Sequence, residues 1–188
     1  MRDMGALITY SGVHFDPLTD DYSKINLTDI AHSLSHICRA NGHCRIFYSV
    51  AQHCLACCDE AKARGLSERI QLGCLLHDAS EAYLSDIVRP LKEMLGPYHG
   101  LEDKMMRYIW TKYLGSMLTD EERNTVFEID DAMLEYEFHN NMAEDLYEDY
   151  SCKVTGRIDI CVRDCDEVAD EYISRVRELS LRLSEGNL

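Results

Sequence analysis

The chain has 188 residues, with 34 acidic and 19 basic side chains and a formal net charge of −15. That charge repels a long phosphate polymer and argues against a nucleic-acid partner, while leaving room for a small phosphate ligand in a local basic pocket or a cation on the carboxylates. No apolar run is long enough to span a bilayer, and nine cysteines, an odd number, rule out a complete internal disulfide framework.

The N-terminus, beginning Met1-Arg2-Asp3-Met4, has no signal-peptide pattern. Several cysteines fall at helical spacing, as in Cys54, Cys57 and Cys58. These features predict reduced thiols and a cytoplasmic protein.

Strand signals are few. Leu7 to Tyr10 reads as a short extended piece closed by Ser11-Gly12, and Phe15-Asp16-Pro17-Leu18 as a turn. Thr28 is the predicted cap of a first helix with the apolar stripe Ile30, Ala31, Leu34, Ile37 and Cys38, ending near Arg39-Ala40-Asn41-Gly42. A second helix is predicted from about Ser49 to Arg64, stopped by Gly65. Val50, His53, Cys54, Cys57, Cys58 and Ala61 share its apolar face. Ser67 caps a third through Ile70, Cys74, Leu75 and Asp78.

Pro90, Gly96 and Pro97 punctuate the next stretch, and a fourth helix is predicted over 101–114. Thr119 with Glu122 forms a capping box for a fifth, reaching about His139. Residues 141–163 are ambiguous, with Gly156 as a breaker and Arg157 to Val162 as either a short strand or a helical turn. Asp164 with Glu167 opens a last helix through Tyr172 and Leu179. With no repeat, linker or boundary, the expectation is one all-α domain over 1–188, in which 141–188 is a helical extension.

The chemistry concentrates in Leu75-Leu76-His77-Asp78-Ala79-Ser80-Glu81, with Asp86 just beyond. An adjacent His and Asp alone is weak evidence. His53 in the second helix and Asp130 in the fifth add an imidazole and a carboxylate on other helices. In a helical bundle, metal sites are assembled from inward-facing side chains of different helices. Two His and two Asp suit a divalent transition metal such as Co, Mn, Zn, Ni or Fe.

These stretches resemble the HD-domain phosphohydrolases, named for the adjacent His-Asp pair. The nearer likeness is to bacterial HD-type 5'-deoxynucleotidases and phage dATP triphosphohydrolases. It runs from about residue 6 to 140 and is carried by several segments. They are Tyr10-Ser11-Gly12 with Phe15 to Leu18, Asp29 to Leu34, Cys38 to His43, Phe47 to His53, Leu75 to Tyr83, and Asp86 to Lys92.

The resemblance implies a compact helical bundle that hydrolyses nucleotide phosphates, most readily 2'-deoxynucleoside 5'-monophosphates, as a homo-oligomer. It implies His53, His77, Asp78 and Asp130 as metal ligands, with Asp131 the competitor for the last place. Asp130 is preferred because Glu137 then follows seven residues on. Glu81 is implied as the acid/base group, Arg39 and Asp86 as nucleotide contacts, and Lys92 as a phosphate ligand. Arg45 is a further candidate cation should the substrate be a triphosphate.

Two positions depart from the pattern. Asp16 stands where the phage enzymes carry a tryptophan in the base pocket, and Val88 where a proline is usual. Asp16 in that pocket predicts weaker base selectivity.

Bland readings accompany several residues. Cys54, Cys57 and Cys58 are read as core packing over a zinc-thiolate site. His32 and His36 are read as a core histidine bonded to backbone and an exposed one, over a metal pair. His43 is expected to brace the loop after Arg39. The Glu135-Glu137 and Glu144-Asp145 runs are read as solvated faces. Arg89 either touches phosphate or caps a helix. The alternative enzyme reading is a deoxynucleoside triphosphate triphosphohydrolase releasing tripolyphosphate, and the alternative of another class is a non-catalytic nucleotide-binding sensor.

Overall fold

The computed structural model describes residues 6–19, 21–144 and 150–185. A two-stranded antiparallel hairpin opens the chain, β1 (Leu7–Ile8) with β2 (His14–Phe15), pairing Leu7 with Phe15 and Ile8 with His14. The helices are α1 (Leu27–His36), α2 (Val50–Ala63), α3 (Glu68–Leu76), α4 (Glu81–Leu84), α5 (Arg89–Lys92), α6 (Gly96–Leu114), α7 (Asp120–Asn141) and α8 (Cys165–Glu185). A 3₁₀ turn at Arg39–Gly42 joins α1 to α2. The fold is all-α, as the periodicity predicts.

Local chemistry explains most boundaries. Ser49 accepts from the Gln52 amide while the Gln52 side chain reaches back, a capping box that starts α2. Ser67 caps α3, and Thr119 with Glu122 caps α7. Asp164 Oδ1 accepts from the amides of Asp166 and Glu167 at the head of α8.

The first cap is Asn26, not Thr28. Its side chain accepts from the Asp29 amide, which leaves Thr28 inside the first turn. Asp29 in turn accepts from the amide and hydroxyl of Ser11 at 2.7 and 2.8 Å, fastening the hairpin to α1. Helix α6 begins at Gly96 rather than Leu101, because Pro97 occupies its first turn, where a missing N–H costs nothing. Residues 157–162 form neither strand nor helical turn.

Helix α3 is central. It packs against α2, α6, α7 and α8, and its residues Leu72, Cys74, Leu75 and Leu76 are fully buried. Gly73 is where it meets α7. A Cβ there would lie 3.1 Å from Val126 Cγ2, so a side chain would push α7 away. Helix α8 closes the other side, packing on α1 and α3, and Tyr172 donates to the Leu75 carbonyl at 2.7 Å. Val168, Tyr172, Val176 and Leu179 thereby join the same core as α1 to α3.

The strand-free connection before α8 is fixed by Glu60, whose side chain is fully buried. It accepts from the amides of Thr155 and Gly156 and from Arg64 Nε, at 2.7 to 3.0 Å. Gly156 is required by close approach, since a Cβ there would sit 3.2 Å from Glu60 Oε2. Burial pushes the Glu60 pKa up, but the two amides and Arg64 outweigh it and hold the carboxyl below its ordinary value.

A carboxyl depressed in the folded state stabilises fully above its unfolded pKa, and that stabilisation is lost as pH falls through the folded value. Glu60→Gln is therefore expected to lose about 1.5–3 kcal/mol near neutrality, the range for hydrogen bonds to a charged group. The gap from the native chain should narrow as pH falls below about 4.3, the ordinary glutamate value. Urea unfolding at a series of pH values checks this, and a pH-independent gap would contradict it.

Candidate metal centre

Three helices bring four donors together. His53 projects from α2, His77 and Asp78 follow the end of α3, and Asp130 lies within α7. His53 Nε2 is 2.9 Å from Asp130 Oδ1, 3.3 Å from His77 Nε2 and 3.8 Å from Asp78 Oδ2. His77 Nε2 is 3.3 Å from Asp78 Oδ2 and 3.5 Å from Asp130 Oδ1. Metal–ligand bonds of about 2.0–2.2 Å place neighbouring donors roughly 2.9 Å apart at right angles and about 3.4 Å apart in a tetrahedron. The spacings among His53, His77 and Asp130, 2.9 to 3.5 Å, lie close to that range, and Asp78 stands 3.3 Å from His77.

Each imidazole is oriented by its other nitrogen. His53 Nδ1 lies 2.7 Å from Glu137 Oε1, and His77 Nδ1 lies 2.6 Å from the Cys74 carbonyl. Carbonyls and carboxylates only accept, so both Nδ1 atoms carry the proton and both Nε2 atoms turn toward the carboxylates. Glu137 also accepts from Arg39 Nε at 3.3 Å, and Arg39 Nη1 lies 3.7 Å from Asp78. The sequence reading of Glu137 as a solvated residue is corrected here, since it is 4% exposed and orients a ligand. Its spacing of seven from Asp130, two helical turns, is the signal that carries this.

Burial and close pairing shift every titratable group of the cluster. Burial and the Arg39 charge push the His53 pKa down, but Cys57, Glu137 and Asp130 hold it well above the ordinary value. Burial likewise opposes a charged His77, and Asp78, Cys54 and Asp130 outweigh it. Burial raises the Asp78 pKa, yet the facing imidazoles hold it down at about 2, and Asp130 is held well below its ordinary value the same way. Two acidic side chains thus face two imidazoles whose pKa values they raise, and positive charge at this point is favoured.

Cys57 is part of this group. Its Sγ lies 3.6 Å from His53 Nε2 and 4.0 Å from Nδ1. His53, Cys57, His77 and Asp130 have donor atoms within 4.8 Å of one another, as have Cys54, His77 and Asp78. A buried set of His, Cys and Asp residues here is able to coordinate a metal ion.

Beside these residues lie two carboxyls whose pKa values are raised. Glu81 is 5% exposed and its Oε2 has no hydrogen-bond partner among the described residues, like Asp86 Oδ2. Burial raises the Glu81 pKa first, and the negative Asp78 and Asp86 raise it further. Burial and Asp78 also raise Asp86 against the pull of Arg39.

Other predicted residues lie elsewhere or are engaged. Asp16 Oδ1 accepts from the Leu18 amide at 2.9 Å within its own turn. Arg45 is exposed and donates to the Ala143 carbonyl at 2.7 Å. Lys92 pairs with Glu102, and Arg89 with Asp131 at 3.1 Å. Asp131 is thus turned to the surface at 59% side-chain exposure, while Asp130 faces the imidazoles. Both Lys92 and Arg89 line a cavity of about 570 Å³ whose wall also includes His77, Asp78 and Asp130. His32 stacks on Tyr10 at 3.6 Å between centroids, and it is His36 Nδ1, not His32, that lies 2.8 Å from a backbone carbonyl. Of the acidic runs, Glu135 pairs with Lys153, Glu144 is exposed, and Asp145 lies outside the described residues.

No protein-family model matches the chain. It is similar to the uncharacterized protein YfdR of Escherichia coli (strain K12), at 43% identity over 112 residues, covering 58% of this chain and 59% of that one. It is also similar to an uncharacterized protein of Rhodobacter capsulatus, at 37% identity over 109 residues, covering 55% of each. The match therefore spans a little over half the length of these relatives.

Asp130→Asn is expected to lose bound metal, while Asp131→Asn keeps it. Glu137→Gln is expected to weaken metal affinity by about 10–100-fold, as loss of a ligand's orienting partner does. Metal content and zinc affinity of the purified variants check this, and full occupancy in Asp130→Asn would refute the ligand set.

Metal binding here also competes with protons. Because the imidazole pKa values are raised, protons persist on His53 and His77 further up the pH scale, so zinc affinity should rise with pH. Binding should release protons into a weak buffer. An affinity independent of pH between 6 and 8 would count against imidazole ligation.

Proposed function

We propose that this chain is a metal-dependent phosphohydrolase acting on 2'-deoxynucleoside 5'-monophosphates, releasing nucleoside and inorganic phosphate. The single observation that carries the reading is the cluster of buried His53 and His77 with half-buried Asp78 and Asp130, beside the buried Glu81, whose Oε2 has no hydrogen-bond partner, one turn beyond Asp78. A site that only held an ion or a ligand would gain nothing from burying a second acid without a partner.

When bound, the metal supplies Lewis acidity toward a phosphoryl oxygen and toward water. The chain's own residues supply the rest. In the hydrolysis, a water oxygen bonds to phosphorus, the P–O5' bond breaks, and a proton reaches O5'. Glu81, kept protonated by burial and by Asp78, is suited to deliver that proton and to recover one from the attacking water. Arg39, held between Glu137 and Asp78, carries further N–H groups and a fixed positive charge for the phosphate oxygens.

The monophosphate is favoured over a triphosphate by the state of the extra cations. Arg45 is committed to the Ala143 carbonyl and Lys92 to Glu102. A triphosphate would need one or both to be released. The reading also places the protein in the cytoplasm as a homo-oligomer. All nine cysteines are free thiols, which supports a reducing compartment. Among the described residues no helix is long and apolar enough to cross a membrane.

Glu81→Gln is expected to keep its metal and its fold while losing about 10²–10⁴-fold in turnover. The assay is phosphate release from deoxy- and ribonucleoside mono- and triphosphates with several divalent metals. Free phosphate from deoxynucleoside monophosphates supports the proposal. Tripolyphosphate from the triphosphates would move the substrate class. No release from any nucleotide by metal-loaded protein would leave the nucleotide-sensor reading instead.

A further inference from the structure

Lys92 of α5 and Glu102 of α6 stand together in the wall of the cavity of about 570 Å³ that also includes His77, Asp78 and Asp130. Lys92 Nζ donates to Glu102 Oε1, and the two side chains are 23% and 19% exposed. Nζ also lies 5.5 Å from the centroid of the Tyr98 ring, so the ammonium is held from two sides. Burial opposes the Lys92 charge, but Glu102 outweighs it and raises the pKa above the ordinary value, with Glu81 and Asp78 adding to the effect. The ammonium therefore lies in the field of the metal end as well as of its own partner.

Exposure separates this pair from its neighbour on the same wall. Arg89 and Asp131 are 64% and 59% exposed. An ion pair that open is worth little in water, and a ligand anion displaces it at small cost. Lys92 and Glu102 are largely withdrawn from water, so parting them leaves two poorly solvated charges. Glu102 thus fills the place beside Lys92 that a second or third phosphate group would take. Elsewhere on the wall, Glu93 and Asp103 accompany Arg107 and Arg123, which leaves no surplus of positive charge for a longer anion.

We infer that Glu102 is a specificity-determining residue, which by holding Lys92 excludes nucleotides with more than one phosphate group. An acid already seated on the cation rejects a polyanion by repulsion as well as by competition. A single phosphate group meets only the metal end and Arg39, which Glu102 does not engage. The inference rests on the phosphohydrolase reading above, which supplies a phosphate at the His77, Asp78 and Asp130 end. To that reading it adds the residue that sets the length of the phosphate chain.

The test uses the full chain loaded with zinc, titrated by calorimetry with inorganic phosphate and with tripolyphosphate. Zinc content is measured after each titration, so that stripping is not read as binding. Glu102→Gln, which keeps the shape and removes the charge, is expected to lower the tripolyphosphate Kd about tenfold. The Kd for inorganic phosphate should change by less than about threefold. The kcat/KM for deoxynucleoside triphosphates should rise with the tripolyphosphate affinity, while that for monophosphates stays near the native value. Lys92→Met added to Glu102→Gln should abolish the gain, and Asp103→Asn, which removes another acid from the same wall, should not reproduce it. An unchanged tripolyphosphate Kd in Glu102→Gln, or an equal gain in Asp103→Asn, overturns the role of Glu102. Monophosphate hydrolysis alongside either result leaves the phosphohydrolase reading standing. Zinc-loaded native protein that binds neither anion and releases phosphate from no nucleotide overturns that reading and the inference with it.

Discussion

The structure depends on one buried imidazole. His53 is fully buried, and both of its nitrogens are committed, Nδ1 to Glu137 and Nε2 to the Asp130 and His77 side. A buried polar group without partners is costly, so α2 is held in register with α7 through two carboxylates two turns apart. That register decides which face of α7 looks inward. It also puts Arg39 against Glu137, which links the turn after α1 to the same network. Four elements far apart in sequence thus share one electrostatic balance, and a change to any member leaves a buried charge uncompensated.

Gly73 and α8 serve that balance without touching it. Helix α3 comes close to α7 at Gly73, on the same pair of elements from which His77 and Asp130 face each other at 3.5 Å. Tyr172 of α8 holds the Leu75 carbonyl just before His77. His53 and Asp130 stand inside α2 and α7, while His77 and Asp78 lie in the turn that follows α3.

Much of this was legible in the sequence, for identifiable reasons. Long helices with caps announced themselves: Thr119 with Glu122 opened α7, and Ser67 opened α3. The apolar face of α2 placed His53 inward. Proline and asparagine misled where one residue has two uses. Pro97 read as punctuation yet starts α6, and Thr28 read as a cap although Asn26, two residues earlier, does the capping. The short helices α4 and α5, of four residues each, carry too little periodicity to be seen. Glu60 was illegible as a buried anchor, because its partners at Thr155 and Gly156 are 95 and 96 residues away and only the fold brings them near. Glu137 was marked by its spacing of seven from Asp130, but its partners His53 and Arg39 were not. The positions of Asp16 and Arg45 were likewise set by local hydrogen bonds, to Leu18 and Ala143, that side-chain chemistry alone does not announce.

The Tyr172 bond to Leu75 spans 97 residues of chain. A growing polypeptide emerging from the ribosome therefore presents α2, α3 and α7, with both histidines and all the acidic ligands, well before the helix that seals α3 has been made. In that interval the buried faces of α1 and α3 that α8 covers are open to solvent. Contacts of such sequence separation also slow the final folding step, since a long loop must close before they form. The helix that completes the hydrophobic core is in this way the last of the described elements to be made, after every residue of the cluster on α2, α3 and α7.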